Sequence, residues 1–336
     1  MDVLKRAWRR FKKSLSAPNT ECYSSRESRL QLNEHRNTLY VILPYFNYCR
    51  YKRRQELFLE FIERIRRTPG IRIVVSELGD PDFQLPEKIP GVFMHIRNVT
   101  RHAIWLKENI INLAIRRLPA DWRYVAWIDA DLTFINPNWS YETIRALSGR
   151  YDVIQLFDKA HNLGPDEDVI KVDKSFGYMH TQLGRPFTKK YTYGFWHPGY
   201  AWACNRAAYE TMGGLIDWGI LGSGDHHMAL GLIGLVDQSH PGGIHVGYSE
   251  ALKQFERRAM KLRLGYIPGT ILHHYHGSLK DRRYRERWEI LTQGNYNPMS
   301  DIGFNSHGVI QLTERGERFI GAISDYFYGR NEDART

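Results

Sequence analysis

Tyr124 to Trp139 reads YVAWIDADLTFINPNW, an apolar run followed at once by two carboxylates one residue apart. YVAWI has the β-branched and aromatic character of a strand, and the chain after it must deliver Asp129 and Asp131 where they can stay charged. An isolated ionised carboxylate is costly in a dry interior, so such a pair calls for a cation, a basic partner or solvent. In an extended chain residues i and i+2 project to the same side, which would let both carboxylates address one hard cation. Magnesium or manganese takes such oxygen ligands and keeps positions for phosphate oxygens. Turns and helix caps also account for many Asp-x-Asp pairs, and that alternative stays open at this point.

Upstream of this stretch the pattern alternates between strand and helix. TLYVILPYF (38–46), IRIVVSEL (71–78) and VFMHIR (92–97) read as strands. Helical spacing runs over residues 51–67, with Leu57, Phe58, Phe61, Ile62 and Ile65 on one face, and Pro69-Gly70 stops it. IWLKENIINLAIRRL (104–118) is a second amphipathic helix. Strand, helix, strand, strand, helix, strand specifies an α/β fold with a central, mostly parallel sheet. Ligand sites in such sheets lie at the carboxyl ends of the strands, where Asp129 and Asp131 fall.

Downstream, residues 141–147 read as a short helix and 151–157 as a strand, while the polar HNLGPDEDVIKVDKSFG (161–177) reads as a long functional loop. Two further constellations sit in apolar context. GSGDHH places Asp225 between glycines and a helical run, as a general base at a flexible helix entrance or simply as an N-cap. His226 and His227 would line the same pocket or lie on the surface. In LHHYHGSLK an extended chain would turn His274 and His276 one way and His273 and Tyr275 the other, so that one or both of the first pair complete a metal site. Gly277 would admit backbone close to a phosphate, and Lys280 would supply it a point charge.

The 336 residues carry 42% hydrophobic and 25% charged content, ordinary for a globular protein with a sizeable core. Three scattered cysteines with no CxxC make neither a disulfide framework nor a thiolate metal site, and they suit a reducing compartment. No run approaches the roughly 18 apolar residues of a membrane helix, and the opening residues lack a secretory signal, so a soluble, cytoplasmic protein is expected. The net charge of +10 is concentrated: residues 1–70 hold 16 Lys and Arg against 7 Asp and Glu. Within them LKRAWRRFKKSL reads as a basic amphipathic helix, suited to a nucleic-acid backbone, to an anionic membrane surface, or to packing on its own domain with its charges solvated. A polar linker follows, so the expected organisation is a basic helix and linker over 1–37, one α/β domain over 38–295 and a carboxyl-terminal extension over 296–336.

Taken together, these residues resemble the GT-A glycosyltransferases, a nucleotide-sugar-dependent superfamily with a Rossmann-like core, over about residues 38–288. The resemblance makes Asp129 and Asp131 the metal motif and puts Lys107 and Asn112, in KENIINLAI, against the nucleotide. GYAWACNRAAYETMGGL resembles the strand and helix that cradle the donor sugar, and GSGDHH occupies the place of the acidic catalytic motif, which makes Asp225 the base. HYHGSLK is similar to the H-Y/F-x-G-x-x-K pattern of the glycogenin-like branch, which implies His274 as metal ligand with Gly277 and Lys280 at the diphosphate. An acid of the inverting type thus stands beside a metal motif of a retaining branch, so either anomeric outcome fits. DWRYVAWIDADLTF, the HPGYAWA run and ILGSGDHHMALGLIG also resemble glycosyltransferase-like proteins of bacteriophages and giant viruses.

The resemblance implies Mn2+ or Mg2+ as cofactor and a nucleoside-diphosphate sugar as donor, a UDP-sugar first. Pro44, Tyr45, Asn47, Arg50 and Glu77 would hold the nucleoside, and Trp196, His197, His226, His227 and His276 would border the sugar or acceptor. The basic amino terminus and the viral resemblance favour a hydroxymethylated base in DNA as acceptor; a cell-surface or lipid-linked glycan, with the basic helix on an anionic leaflet, is the alternative. A metal-dependent phosphoesterase would also use Asp and His clusters, but it would place His at the ends of several early strands, which lack it.

Overall fold

The computed structural model describes residues 37–79, 82–183, 196–278, 280–284 and 286–334. The expected basic amino-terminal helix lies outside the described residues. Those that are described begin with β1 (Leu39–Tyr45), α1 (Lys52–Ile65), β2 (Ile71–Gly79), β3 (Val92–Val99), α2 (Lys107–Arg116), β4 (Tyr124–Ile128) and β5 (Leu132–Phe134). Next come α3 (Trp139–Leu147), β6 (Val153–Gln155), β7 (Lys159–Leu163), β8 (Val169–Lys174), α4 (Phe176–Leu183), β9 (Ala201–Asn205), α5 (Arg206–Met212) and α6 (Gly224–Leu232). The chain continues through α7 (Val246–Ala259), β10 (Leu264–Tyr266), β11 (Thr270–His273), α8 (Glu286–Gln293), β12 (Ile302–Phe304), β13 (Ile310–Leu312) and α9 (Ile320–Tyr328).

A seven-stranded sheet in the order β10-β6-β9-β4-β1-β2-β3 forms the centre. It is mostly parallel: β1 pairs in parallel with β2 and β4, β2 with β3, and β6 with β10, while β9 runs antiparallel to β4 and β6. Side chains alternate across it as the period of two requires. Tyr40, Ile42, Val125 and Trp127 enter one apolar layer, and Leu39, Val41, Tyr124 and Ala126 the other. Helix α1 covers the second layer with its predicted stripe of Leu57, Phe58, Phe61, Ile62 and Ile65. Helix α2 packs in the first and is buried along nearly its whole length, which makes its Lys107 and Glu108 interior charges.

One segment differs from the sequence reading. The expected long loop over 161–177 is largely a hairpin, with β7 and β8 paired antiparallel inside a second sheet of order β5-β11-β7-β8. Lys, Asp and Asn hid it, because β8 leaves Val169, Ile170 and Val172 exposed and shows no apolar face. From Tyr296 onward the chain packs into the same core as the sheet, through Tyr296, Val309, Ile310, Phe319, Ile323 and Phe327. Among the described residues no helix is long and apolar enough to cross a membrane.

Candidate active site

The topology gathers loops at one edge of the central sheet. Because β1 and β4 are parallel neighbours, Pro44 and Tyr45 at the end of β1 come beside Asp129 at the end of β4. Because β9 is antiparallel to β4, the residues that lead into it, His197 to Tyr200, come to the same edge. The start of α6, the start of α2 and the segment after β11 complete a cavity of about 380 Å3. Carboxyl ends of parallel strands beside a strand reversal are where α/β sheets place ligands.

Three side chains there form a group fit for a cation. One ligand atom from each of Asp131, His273 and His276 lies within 4.8 Å of the others. Asp131 Oδ2 is 2.8 Å from His276 Nε2 and 3.7 Å from His273 Nε2, while the buried Asp131 Oδ1 has no hydrogen-bond partner. An orphaned carboxylate oxygen beside two imidazoles suits a bound divalent ion such as Mn2+.

The tautomer of His273 follows from its surroundings. Asn162 Nδ2 donates to Asp173 Oδ2 at 2.9 Å, which turns the amide oxygen toward Tyr200 and His273. That oxygen accepts from Tyr200 Oη at 2.6 Å and lies 2.9 Å from His273 Nδ1. Nδ1 therefore carries the proton and Nε2 offers its lone pair toward Asp131, the outer arrangement typical of metal-bound histidines.

Across the cavity, Lys107 bridges two acids. Its Nζ is 2.6 Å from Asp129 Oδ1 and 3.1 Å from Asp225 Oδ2. A cation in the first turn of a helix opposes the helix dipole, and these two carboxylates offset that. Burial pushes Asp129 up to about 6 despite Lys107, and burial together with the Asp225 charge pushes Glu108 up to about 8. Gly224 is required for this arrangement: a Cβ there would sit 2.5 Å from Glu108 Oε1. Arg282, Tyr284, Arg287 and Arg330 also line the cavity. Arg282 Nε is buried without a hydrogen-bond partner. For the Tyr284 phenol, burial acts upward, but Arg282 and Arg330 outweigh it and lower its pKa.

Several expected residues stand elsewhere. His274 is outside the cation cluster, with its Nε2 2.8 Å from Thr133 Oγ1. Strand β11 ends at His273, so the alternation that would have aligned His274 with His276 does not carry past it. Asp129 is likewise paired with Lys107 instead of sharing the cluster, because β4 ends at Ile128 and the chain turns at Ala130 and Asp131. Asn112 is buried away from the cavity, donating to the Leu215 carbonyl and Asp217. His227 is buried between Ser239 and Tyr248. Trp196 packs on Phe176, and Arg50 is exposed beside Asp82.

Glu77 accepts from the Gln84 and Leu85 N–H groups and lies 2.9 Å from His95, so its carboxylate is committed within the fold. Asn47 accepts from Tyr51 N ahead of α1. Lys280 is exposed and does not line the cavity. Gly277 is met by Asn331 and Glu332, not by open space. Pro44, Tyr45, Lys107, Asp225, His197, His226 and His276 do line it. Burial pushes the His197 imidazole down to about 3, so it is neutral at physiological pH.

No family model matches this chain, and no curated protein does. Among solved structures it is similar to the catalytic domain of Drosophila β1,4-galactosyltransferase 7 in complex with xylobiose, at 15% identity over 58% of this chain and 60% of that one, TM-score 0.32. It is similar to a mannosyltransferase from Pyrobaculum calidifontis in complex with GDP-Man and Mn2+, at 14% identity over 96% of this chain and 76% of that one, TM-score 0.44. A third is 4-diphosphocytidyl-2C-methyl-D-erythritol synthase from Anaerococcus prevotii, at 12% identity over 69% and 89%, TM-score 0.36. The matched part of the galactosyltransferase domain is thus about three fifths of its length.

Proposed function

We propose that this chain is a metal-dependent glycosyltransferase that moves a sugar from a nucleoside-diphosphate sugar, first among them a UDP-sugar, to an acceptor hydroxyl. The observation that carries this reading is the convergence, in one cavity, of a three-ligand cation site (Asp131, His273, His276) and a separate carboxylate, Asp225. A divalent ion bound there supplies positive charge to the leaving diphosphate. Arg282 and Arg330, which line the cavity, offer N–H donors to phosphate oxygens, so the diphosphate contact expected of Lys280 passes to Arg282. Pro44 and Tyr45 border the nucleoside, and His197 and His226 border the sugar or acceptor. Asp225 takes the proton of the acceptor hydroxyl as its oxygen attacks the anomeric carbon. The single three-ligand group found among the described residues favours this over a two-metal phosphoesterase.

The acceptor we propose is a hydroxymethylated base in DNA, supported by the excess of basic residues over 1–70. The experiment is a screen of UDP- and GDP-sugars with Mn2+, following release of nucleoside diphosphate with and without hydroxymethylated DNA. Asp225→Asn is expected to keep Mn2+ and donor binding while turnover falls by about 10²- to 10⁴-fold. Full turnover in that variant rejects the assignment of the base. Phosphodiester hydrolysis without sugar transfer supports the phosphoesterase instead. Salt-sensitive DNA binding lost on deleting residues 1–15 supports the DNA acceptor, and vesicle binding without DNA binding supports an acceptor at an anionic membrane.

A further inference from the structure

We infer that Glu332 positions His276 as a metal ligand, so that the carboxyl-terminal segment 329–334 is a working part of the cation site; the inference rests on the cation site proposed above. Glu332 is far from any motif in the sequence, yet its side chain is 1% exposed and points at the site. Its Oε1 accepts from Arg54 Nη2 at 2.6 Å and from Arg330 Nε at 2.7 Å. Its Oε2 accepts from Arg54 Nε alone at 2.7 Å and faces His276 Nδ1 at 3.6 Å. At that separation the carboxylate acts on the ring by charge and not through a formed hydrogen bond.

The other ring nitrogen shows why this matters. His276 Nε2 is 2.8 Å from Asp131 Oδ2 and 2.8 Å from Arg282 Nη2. Arginine can only donate, so a proton on Nε2 would clash with Arg282. The ring that accommodates Arg282 carries its proton on Nδ1, toward Glu332, and its Nε2 lone pair then stands beside the Asp131 oxygen. Two lone pairs converging in this way are what a cation needs. Glu332 favours that tautomer for His276 as Asn162 does for His273, and the pairing of imidazole with an outer carboxylate is a common device of metal sites.

The segment that brings Glu332 in is anchored independently of the imidazole. Tyr51 Oη donates to the Phe327 and Tyr328 carbonyls at 3.1 and 2.9 Å and accepts from Asn331 N at 3.1 Å. Asp333 accepts from Lys52 N and Arg53 N at 3.0 and 2.8 Å, capping α1 from the far end of the chain. The segment crosses Gly277, whose φ of +87° and neighbours, Asn331 O and Glu332 Cα at 3.0 Å from a built Cβ, leave no room for a side chain. Gly277, expected from the sequence to admit a phosphate, thus seats this segment against the HYH run.

The test is Mn2+ binding to the full chain, read from the electron paramagnetic resonance of free Mn2+, for the parent, Glu332→Gln, Asp333→Asn and Asp131→Asn. Glu332→Gln is expected to weaken Mn2+ binding by about 10- to 100-fold. Asp333→Asn, which loosens the same segment without touching His276, is expected to lower thermal stability and leave Mn2+ affinity within about threefold of the parent. Should Glu332→Gln not fold, Arg54→Met/Glu332→Gln removes one of the buried cations left unbalanced and carries the same measurement. Parent-like Mn2+ affinity in the Glu332 variant, with Asp131→Asn defective, overturns the inference and leaves the cation site standing. Absence of Mn2+ binding by the parent overturns both. Losses in Asp333→Asn that match those in Glu332→Gln make the segment merely structural and also overturn it.

Discussion

Lys107 Nζ lies 3.1 Å from Asp225 Oδ2, and the same ammonium is 2.6 Å from Asp129 Oδ1. One buried cation therefore serves two acids from separate segments, the turn after β4 and the first turn of α6. Removing one partner of a buried charge pair leaves the other uncompensated, at a cost of about 3 to 5 kcal/mol. Lys107→Met is expected to lose the lower end of that range, about 3 kcal/mol in urea denaturation at pH 7.5, because both carboxylates keep some contact with solvent. The deficit should shrink below about pH 6, where Asp129 takes up a proton. A loss below about 0.5 kcal/mol would show that the ammonium does not hold these segments together.

The cation site makes a distinction among three neighbouring histidines. His273→Ala and His276→Ala are expected to abolish measurable Mn2+ binding, as is Asp131→Asn, because each removes one of three ligand atoms. His274→Ala removes only the contact with Thr133 and is expected to cost about 1 kcal/mol of stability with Mn2+ affinity retained. Isothermal titration with Mn2+ separates the cases; strong binding by the His276 variant and none by the His274 variant would restore the assignment made from the sequence.

Asn162 sets the His273 tautomer without approaching a cation itself. In Asn162→Leu the Nδ1 proton loses its acceptor and Asp173 loses a donor. Mn2+ affinity is expected to fall by about 10- to 100-fold. Asn162→Asp, which keeps an acceptor at Nδ1, should recover more of the affinity than Leu does. Equal losses in both variants would mean that the amide acts by packing alone.

Glu108 gives a pH signature of stability. Burial, with the Asp225 charge adding to it, raises this carboxyl from its ordinary 4.5 to about 8. The folded chain then holds a proton that the unfolded chain has released. Its contribution is complete below about pH 4.5 and is lost as pH rises toward 8. Glu108→Gln removes the ionisation, so its melting temperature is expected to match the parent near pH 4.5 and to exceed it by roughly 2 °C at pH 9. A difference that stays flat from pH 5 to 9 would show that Glu108 is ionised in the fold throughout.

What the sequence by itself determined was the sheet and the places where chemistry collects. The apolar runs of β1, β2 and β4 and the stripe of α1 are local patterns, and burial of either kind of face has a period the chain displays directly. The same patterns located the IDAD, GSGDHH and HHYH segments. Which histidine faces Asp131 was decided by the end of β11, since alternation predicts orientation only while the strand continues. Lys107 between two acids, Asn162 behind His273 and Glu332 behind His276 join residues 22 to 118 positions apart, and no local period records such meetings. They exist because burying charged and polar groups is tolerated only where a partner arrives from elsewhere in the fold, and only the tertiary structure supplies that partner.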